Sequence, residues 1–149
     1  MKLPDDYISL EEVQRVCREL SLRDWTQLTD TTVLDAEAQT LQQIAGAEAL
    51  EIPLESFRLG LQVELEHGLA FPDANVTNNH PILTARIVLA HLKEMLDYYS
   101  RLEVAELEGG MLKAQLAGNS EKLAAEHRAL IAARRRLSQW EQERLAENR

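Results

Sequence analysis

The sequence predicts an all-α protein. Aromatic side chains make up only 5% of the chain, whereas leucine, alanine, glutamate and glutamine are abundant, and these residues favour helices over strands. Apolar residues account for 45% and charged residues for 28%, a composition typical of folded globular proteins rather than disordered ones. Apolar positions also recur at helical spacing along most of the chain. We therefore expect a compact domain of about four helices followed by a C-terminal helical extension.

The charge and the cysteine content of the chain indicate which binding partners and which cellular compartment to expect. The net charge of −9 repels the phosphates of nucleic acids, so nucleic acid is not an expected partner. No apolar stretch approaches the ~20 residues that span a bilayer, and the first residues lack the apolar run of a signal peptide. Cys17, the only cysteine, cannot form an intramolecular disulfide and is expected to be a small buried residue. These features predict a cytoplasmic protein without membrane contact.

The N-terminal third contains two helix signals. Ser9 and Glu12 form a capping-box pattern for a helix that runs to about residue 20. The next segment, 21–34, is predicted to be irregular. Its apolar side chains are expected to pack into the core: Trp25, Leu28 and Leu34. Asp35 is the expected N-cap of a second helix that extends to about Gly46.

Two stronger helices follow. Pro53 fits the first turn of a helix whose apolar residues continue until Gly68 offers a stop. Residues 68–80 are rich in Pro, Asp and Asn and predict a structured loop held by side-chain hydrogen bonds, with Asn79 or His80 as the next N-cap. Pro81 then begins the longest expected helix, which runs to at least Leu102 and is interrupted at Gly109-Gly110.

The C-terminal segment differs in composition from the rest. The turn Gly118-Asn119-Ser120 is expected to begin a final helix, so we expect a domain over 1–118 and a separate helix over 119–149. That helix carries a net charge of +2 and repeats leucines at heptad spacing, Leu123, Leu130 and Leu137. Such a face must dock on the protein itself or on a second subunit, and we expect a homo-oligomer. The run 134–136, three arginines, could alternatively bind anions or an acidic partner.

The helix that begins near Pro53 carries a possible metal-binding pair. Glu64 falls about 60° from the centre of its apolar face, and His67 follows one turn later on the same side. Glu-x-x-His pairs on helices are the ligands of ferritin-like iron and manganese sites. The same spacing is common in helices by chance, so a metal site would require further ligands from another helix.

The next helix carries a second pair of candidate ligands. His91 is predicted at the centre of a buried seam, and Glu94 lies one turn further along. Because buried carboxylates need a counter-charge, a proton or a metal, we expect Glu64, His67, His91 and Glu94 to ligate a divalent ion, iron, manganese or zinc. The alternative is a hydrogen-bonded structural network that includes two nearby tyrosines, Tyr98 and Tyr99.

Helix geometry sets a condition on this site. Glu64 lies ~5 Å from the end of its helix and His91 ~15 Å into the next, at about 1.5 Å per residue. The loop must therefore offset the two helices, or the pairs must meet across a dimer axis. If neither occurs, His67 would face His80 and Asp73 instead, and His91 would be a core histidine that pairs with Glu94.

Three segments resemble the signature of a family of small uncharacterised bacterial and phage proteins, a domain of unknown function. They are residues 57–68 (FRLGLQVELEHG), 75–78 (NVTN) and 90–102 (AHLKEMLDYYSRL). The resemblance covers roughly residues 52–105. It implies that the expected ligands, together with Asp97, belong to the shared signature, but it implies no activity.

The sequence thus predicts a function without specifying a reaction or a substrate. The favoured hypothesis is a small helical protein that binds a divalent metal through Glu/His pairs on two adjacent helices. The alternative is a non-catalytic oligomeric interaction or assembly module with a structural His/Glu network. Whether the protein is an enzyme stays open.

Overall fold

The computed structural model describes residues 8–147 and confirms the all-α prediction, because the described residues contain helices and turns but no strand. Two short 3₁₀ helices lie at 25–27 and 72–74. Seven α-helices are present in the described part of the chain: α1 Leu10–Glu19, α2 Asp35–Ala45, α3 Ala47–Leu50, α4 Leu54–Ala70, α5 Pro81–Glu94, α6 Tyr98–Leu116 and α7 Ser120–Glu147. None of the described helices is both long enough and apolar enough to cross a membrane.

The chain divides into two compact units between Leu96 and Asp97. The first unit contains α1 to α5, in which α2 packs against both α4 and α5, and α4 packs against α5. The second unit contains α6 and α7, which pack along each other. This division lies well before residue 118, where the change in composition had suggested a boundary.

The start of α1 follows the local sequence signals. The Ser9 hydroxyl accepts a hydrogen bond from the Glu12 backbone N–H at 3.2 Å, as the capping box predicts. The Glu12 carboxylate, however, accepts hydrogen bonds from the guanidinium of Arg15 rather than from the backbone N–H of Ser9, as a complete capping box would require. Cys17 is buried on the apolar face of α1 as expected, and burial raises the pKa of its thiol.

The cap of α2 was predicted one residue too late. Leu34 occupies the N-cap position, and its backbone N–H donates to the carboxylate of Glu37 at 3.0 Å. Glu37 also accepts from the guanidinium of Arg23 at 2.7 Å. Although burial opposes ionisation, these hydrogen bonds hold the pKa of Glu37 below its ordinary value. Trp25 is a buried plug as predicted, but Leu34 is 48% exposed and Val33 fills the core in its place.

The stop predicted at Gly68 is wrong, because α4 continues to Ala70. Phe57, Leu61 and Leu65 form its buried stripe as expected. Gly68 serves another purpose: a Cβ at this position would lie 2.0 Å from Oδ1 of Asn79. The glycine therefore allows the following loop to close against the helix.

The long helix predicted from Pro81 through Leu102 is in fact two helices. The first, α5, ends at Glu94, and Met95 adopts an extended backbone with φ −149° and ψ 124°. The second, α6, passes through the predicted interruption at Gly109-Gly110 without a break. The core seam predicted across this region ends with α5, and the Met95 side chain is 39% exposed.

The second unit is an antiparallel helical hairpin. Gly118, with φ +65°, makes the turn, and Asn119 Oδ1 accepts from the Lys122 N–H at 2.9 Å at the start of α7. Leu130 and Ala133 of α7 are buried. Ion pairs link the two helices at several levels: Arg101 with Glu141, Arg136 with Glu103, and Arg134 with Glu108. Two of the three consecutive arginines thus already bind acidic residues of the neighbouring helix.

Candidate functional site

One carboxylate of the first unit lies between two imidazoles. Glu64 Oε1 is 3.7 Å from Nε2 of His91, and Glu64 Oε2 is 3.9 Å from Nδ1 of His67. Glu64 and His67 belong to the last turns of α4, whereas His91 belongs to the last turn of α5. The structure therefore brings together three of the four side chains that the sequence suggested as ligands.

The three side chains differ in their exposure to solvent. The Glu64 side chain is 16% exposed, that of His91 32%, and that of His67 49%. The carboxylate is thus the inner member of the cluster, and both imidazoles are within reach of solvent. His91 was expected at the centre of a buried face, but α5 ends one turn after it, which leaves its ring partly uncovered.

Glu94 occupies a different position from the other three residues. It is the last residue of α5 and is exposed. Tyr98 and Tyr99, the tyrosines of the predicted network, belong to the second unit, where their rings meet edge to face with centroids 5.2 Å apart. Asp97, also in the signature, is buried and forms an ion pair with Arg101 at 2.6 Å.

The meeting of Glu64 and His91 depends on the loop between α4 and α5. Asn75 Nδ2 donates to the Gly68 carbonyl at 3.2 Å and to Asn79 Oδ1 at 2.9 Å, which ties the loop to the end of α4. The offset that the sequence analysis required is therefore present within a single chain. A dimer axis is not needed to bring the pairs together.

Two residues at the end of this loop have a positive φ, which few residue types adopt. Asn78 and Asn79 have φ of +48° and +60°, a region in which asparagine is the most tolerated residue after glycine. The Asn78 side chain donates to the carbonyl of Ile8. His80 is the N-cap of α5, where its Nδ1 faces the Leu83 N–H at 3.5 Å. The predictions of a hydrogen-bonded loop and of a cap at this point are confirmed.

A cavity of about 220 Å³ adjoins the cluster. Glu64 and His67 line one part of it, and the larger apolar side chains of Phe71, Val76 and Ile87 line another. This cavity was not predicted. Phe71 and Val76, apolar residues within an otherwise polar loop and 58% and 66% exposed, were the signal that could have indicated it.

The distances within the cluster bear on its chemistry. Separations of 3.7 and 3.9 Å exceed the ~2.7–3.2 Å of a hydrogen bond. Two atoms that bind one ion at about 2.1 Å lie about 3.0–3.5 Å apart in octahedral or tetrahedral geometry. Across residues 8–147, no group of three or more His, Cys, Asp or Glu side chains that could hold a metal ion is found.

A family model described as "Protein of unknown function (DUF5661)" matches residues 13–108. The chain belongs to this family. The matched part of the DUF5661 chain extends from within α1 into α6 and includes the whole of the Glu64 cluster and its cavity. Neither a curated protein nor a solved structure matches the chain.

Proposed function

We propose that this DUF5661 protein binds a divalent transition metal through Glu64, His67 and His91. The observation that carries the proposal is the position of one carboxylate between two imidazoles, with each of its oxygens within 4 Å of a ring nitrogen. Two histidines and one carboxylate form the ligand set of many non-haem iron sites and of several catalytic zinc sites.

The two imidazoles lie against different oxygens of Glu64, so binding of one ion by all three side chains requires both rings to turn toward a common point. Ligand atoms on one ion lie about 3.0–3.5 Å apart, and this applies to the two ring nitrogens as well as to each nitrogen–oxygen pair. The rings of His67 and His91 are both partly exposed, so rotation of their side chains can supply that movement. Iron, manganese and zinc all suit this ligand set.

Metal titration of protein purified without a nickel column tests the proposal. Calorimetry with Zn²⁺ and Mn²⁺, and anaerobically with Fe²⁺, should show one ion per chain. Glu64→Gln should weaken binding at least tenfold, and His67→Ala with His91→Ala should abolish it. Glu94→Gln is the matched control, because Glu94 is an exposed glutamate of the same unit. It should leave the metal affinity unchanged.

A second control separates the cluster from ordinary surface histidines. His127 lies exposed on α7, and His127→Ala should leave the stoichiometry unchanged. Full retention of binding after loss of both His67 and His91, or no uptake of any of the three ions, would refute the proposal.

The second candidate function is an oligomeric assembly module in which the Glu64 cluster is structural. Exposed apolar side chains on the hairpin favour it: Leu112, Leu116, Ile131 and Leu145. Light scattering on the parent and on the Leu112→Glu, Leu116→Glu double variant tests this candidate. A parent oligomer that dissociates on substitution supports it, and a monomeric parent excludes it.

A further inference from the structure

We infer that the cavity beside Glu64 binds a primary ammonium group, with the short apolar chain or ring that carries it lying against Phe71, Val76 and Ile87. This inference does not rest on the proposed metal site, because it concerns the metal-free protein and depends on residues that themselves line the cavity.

The charge of the lining selects the head group. Among the described residues that line the cavity, Glu64 is the acidic one and none is lysine or arginine. The Glu64 side chain is only 16% exposed, and solvent screens the charge of a mostly buried carboxylate less than that of an exposed one. The cavity therefore attracts a cation and repels a carboxylate.

Glu64 can hold an ammonium group beside its two imidazoles. An ionised carboxylate accepts up to about four hydrogen bonds, and the rings of His67 and His91 approach one oxygen each. An ammonium group supplies three N–H donors, and its hydrogen bonds to a carboxylate are charge-assisted and stronger than neutral ones. One carboxylate therefore accommodates both imidazoles and the ligand.

The rest of the lining selects the body of the ligand. A cavity of about 150 Å³ is known to hold a benzene ring, and this one measures about 220 Å³. The polar lining residues Asn75 and Thr77 are engaged in hydrogen bonds within the loop. Phe71 and Val76 are 58% and 66% exposed, so a ligand that covers them removes apolar surface from water. The body is therefore apolar.

NMR titration of metal-free full-length protein in EDTA at pH 8, where histidine is ordinarily neutral, provides the test. Benzylamine should bind at least tenfold more tightly than benzyl alcohol, which has the same ring without the charge. It should also bind at least tenfold more tightly than methylamine, which has the charge without the ring. Benzoate should not bind.

The same head group occurs on free amines and on lysine side chains, and a second pair of ligands distinguishes these sources. Butylamine and Nα-acetyl-lysine methylamide carry the same butylammonium chain. Equal affinities support a free amine, and at least tenfold tighter binding of the lysine derivative supports a lysine of a partner protein. Failure of both to bind would overturn the inference.

Variants locate the ligand. Glu64→Gln should weaken benzylamine at least tenfold and leave benzyl alcohol unchanged, a difference that a general distortion of the fold would not produce. Glu94→Gln is the matched control, because it removes one negative charge from an exposed position of the same unit; it should change neither affinity. Val76→Ser should weaken both ligands to a similar extent, since it removes apolar surface from the wall.

The outcomes separate this inference from the proposed function. If benzylamine binds no more tightly than benzyl alcohol, or if Glu64→Gln keeps the full affinity for benzylamine, the inference is refuted. Titration with Zn²⁺, without amine and without EDTA, tests the metal site independently. Zn²⁺ uptake without benzylamine binding refutes this inference alone, and benzylamine binding without uptake of any of the three metals refutes the metal site alone.

Discussion

Glu64 and His91 lie on different helices, yet an oxygen of the first is 3.7 Å from a ring nitrogen of the second. The carboxylate is mostly buried and the ring partly exposed. The pair therefore joins α4 to α5 at the point where both helices approach their C-terminal ends, and it couples the stability of the first unit to the state of the cluster.

The first prediction concerns this coupling. Glu64→Ala should lower the free energy of unfolding by about 0.5–3 kcal/mol, because it removes a mostly buried side chain together with its electrostatic contacts to two imidazoles. Glu94→Ala should change it by less than about 0.5 kcal/mol, since Glu94 is exposed. Thermal unfolding measured with and without a chelator checks both values. If the metal proposal holds, the chelator should lower the melting temperature of the parent but not of Glu64→Ala.

The second prediction concerns the contact of Gly68 with Asn79. Gly68→Ala should destabilise the protein by about 1–3 kcal/mol, because its methyl group would meet the Asn79 side chain at 2.0 Å. Gly109→Ala is the matched control: it lies inside α6 with nothing within 4 Å and should stabilise by about 0.5–1 kcal/mol through helix propensity. Urea denaturation of both variants measures the difference.

A double variant tests the cause of that loss. Asn79→Gly removes the obstructing side chain and also relieves the positive φ at residue 79. The penalty of Gly68→Ala should therefore be smaller in the Asn79→Gly background than in the parent. Equal penalties in both backgrounds would show that another contact is responsible.

The third prediction concerns pH. Burial lowers the pKa of His80 below its ordinary value, against the opposing attraction of Glu12. The unfolded chain therefore binds a proton at higher pH than the folded protein, so stability is lost as pH falls from above about 6.5 through the lowered pKa. Protonation also removes the lone pair with which Nδ1 accepts at the cap of α5.

His80→Asn isolates this contribution, because asparagine is a favoured N-cap residue that does not titrate. The free energy of unfolding of the variant should fall less steeply than that of the parent between about pH 7 and pH 5. Denaturant titrations at several pH values measure both slopes. Identical slopes would assign the pH dependence to other groups.

The fourth prediction distinguishes the interactions that hold the hairpin. Leu130 is buried on α7, and Leu130→Ala should cost about 2–4 kcal/mol. Arg134 and Glu108 form an exposed pair, with side chains 60% and 50% exposed, so Arg134→Ala should cost under about 1 kcal/mol. Circular dichroism during thermal unfolding checks this order, which a larger loss in Arg134→Ala would contradict.

Several local signals in the sequence were interpreted correctly because the residues that form each feature are close in the chain. Ser9 caps α1, His80 caps α5, and Gly118 with Asn119 makes the final turn. Each of these features depends on backbone groups within a few residues of the side chain, so their residue types were sufficient evidence.

The errors near Met95 and at Gly109-Gly110 arose where distant contacts decide the local structure. Nothing in the periodicity near Met95 marked the end of α5, because the apolar spacing continues into α6. Gly110 was expected to break a helix, but the side chain of Glu126 on α7 lies about 3.0 Å from the position its Cβ would take. The pairing of two helices thus stabilises a glycine pair that would weaken an isolated helix.

The sequence by itself determined the all-α class and the spacing of Glu64 and His67 on one helix, because both follow from short-range backbone geometry. Only the tertiary structure decided that His91 joins them while Glu94 does not. That outcome depends on the offset of two helices, set by the Gly68–Asn79 contact and by the hydrogen bonds of Asn75. Such an offset results from packing between segments distant in sequence, which helical periodicity does not encode.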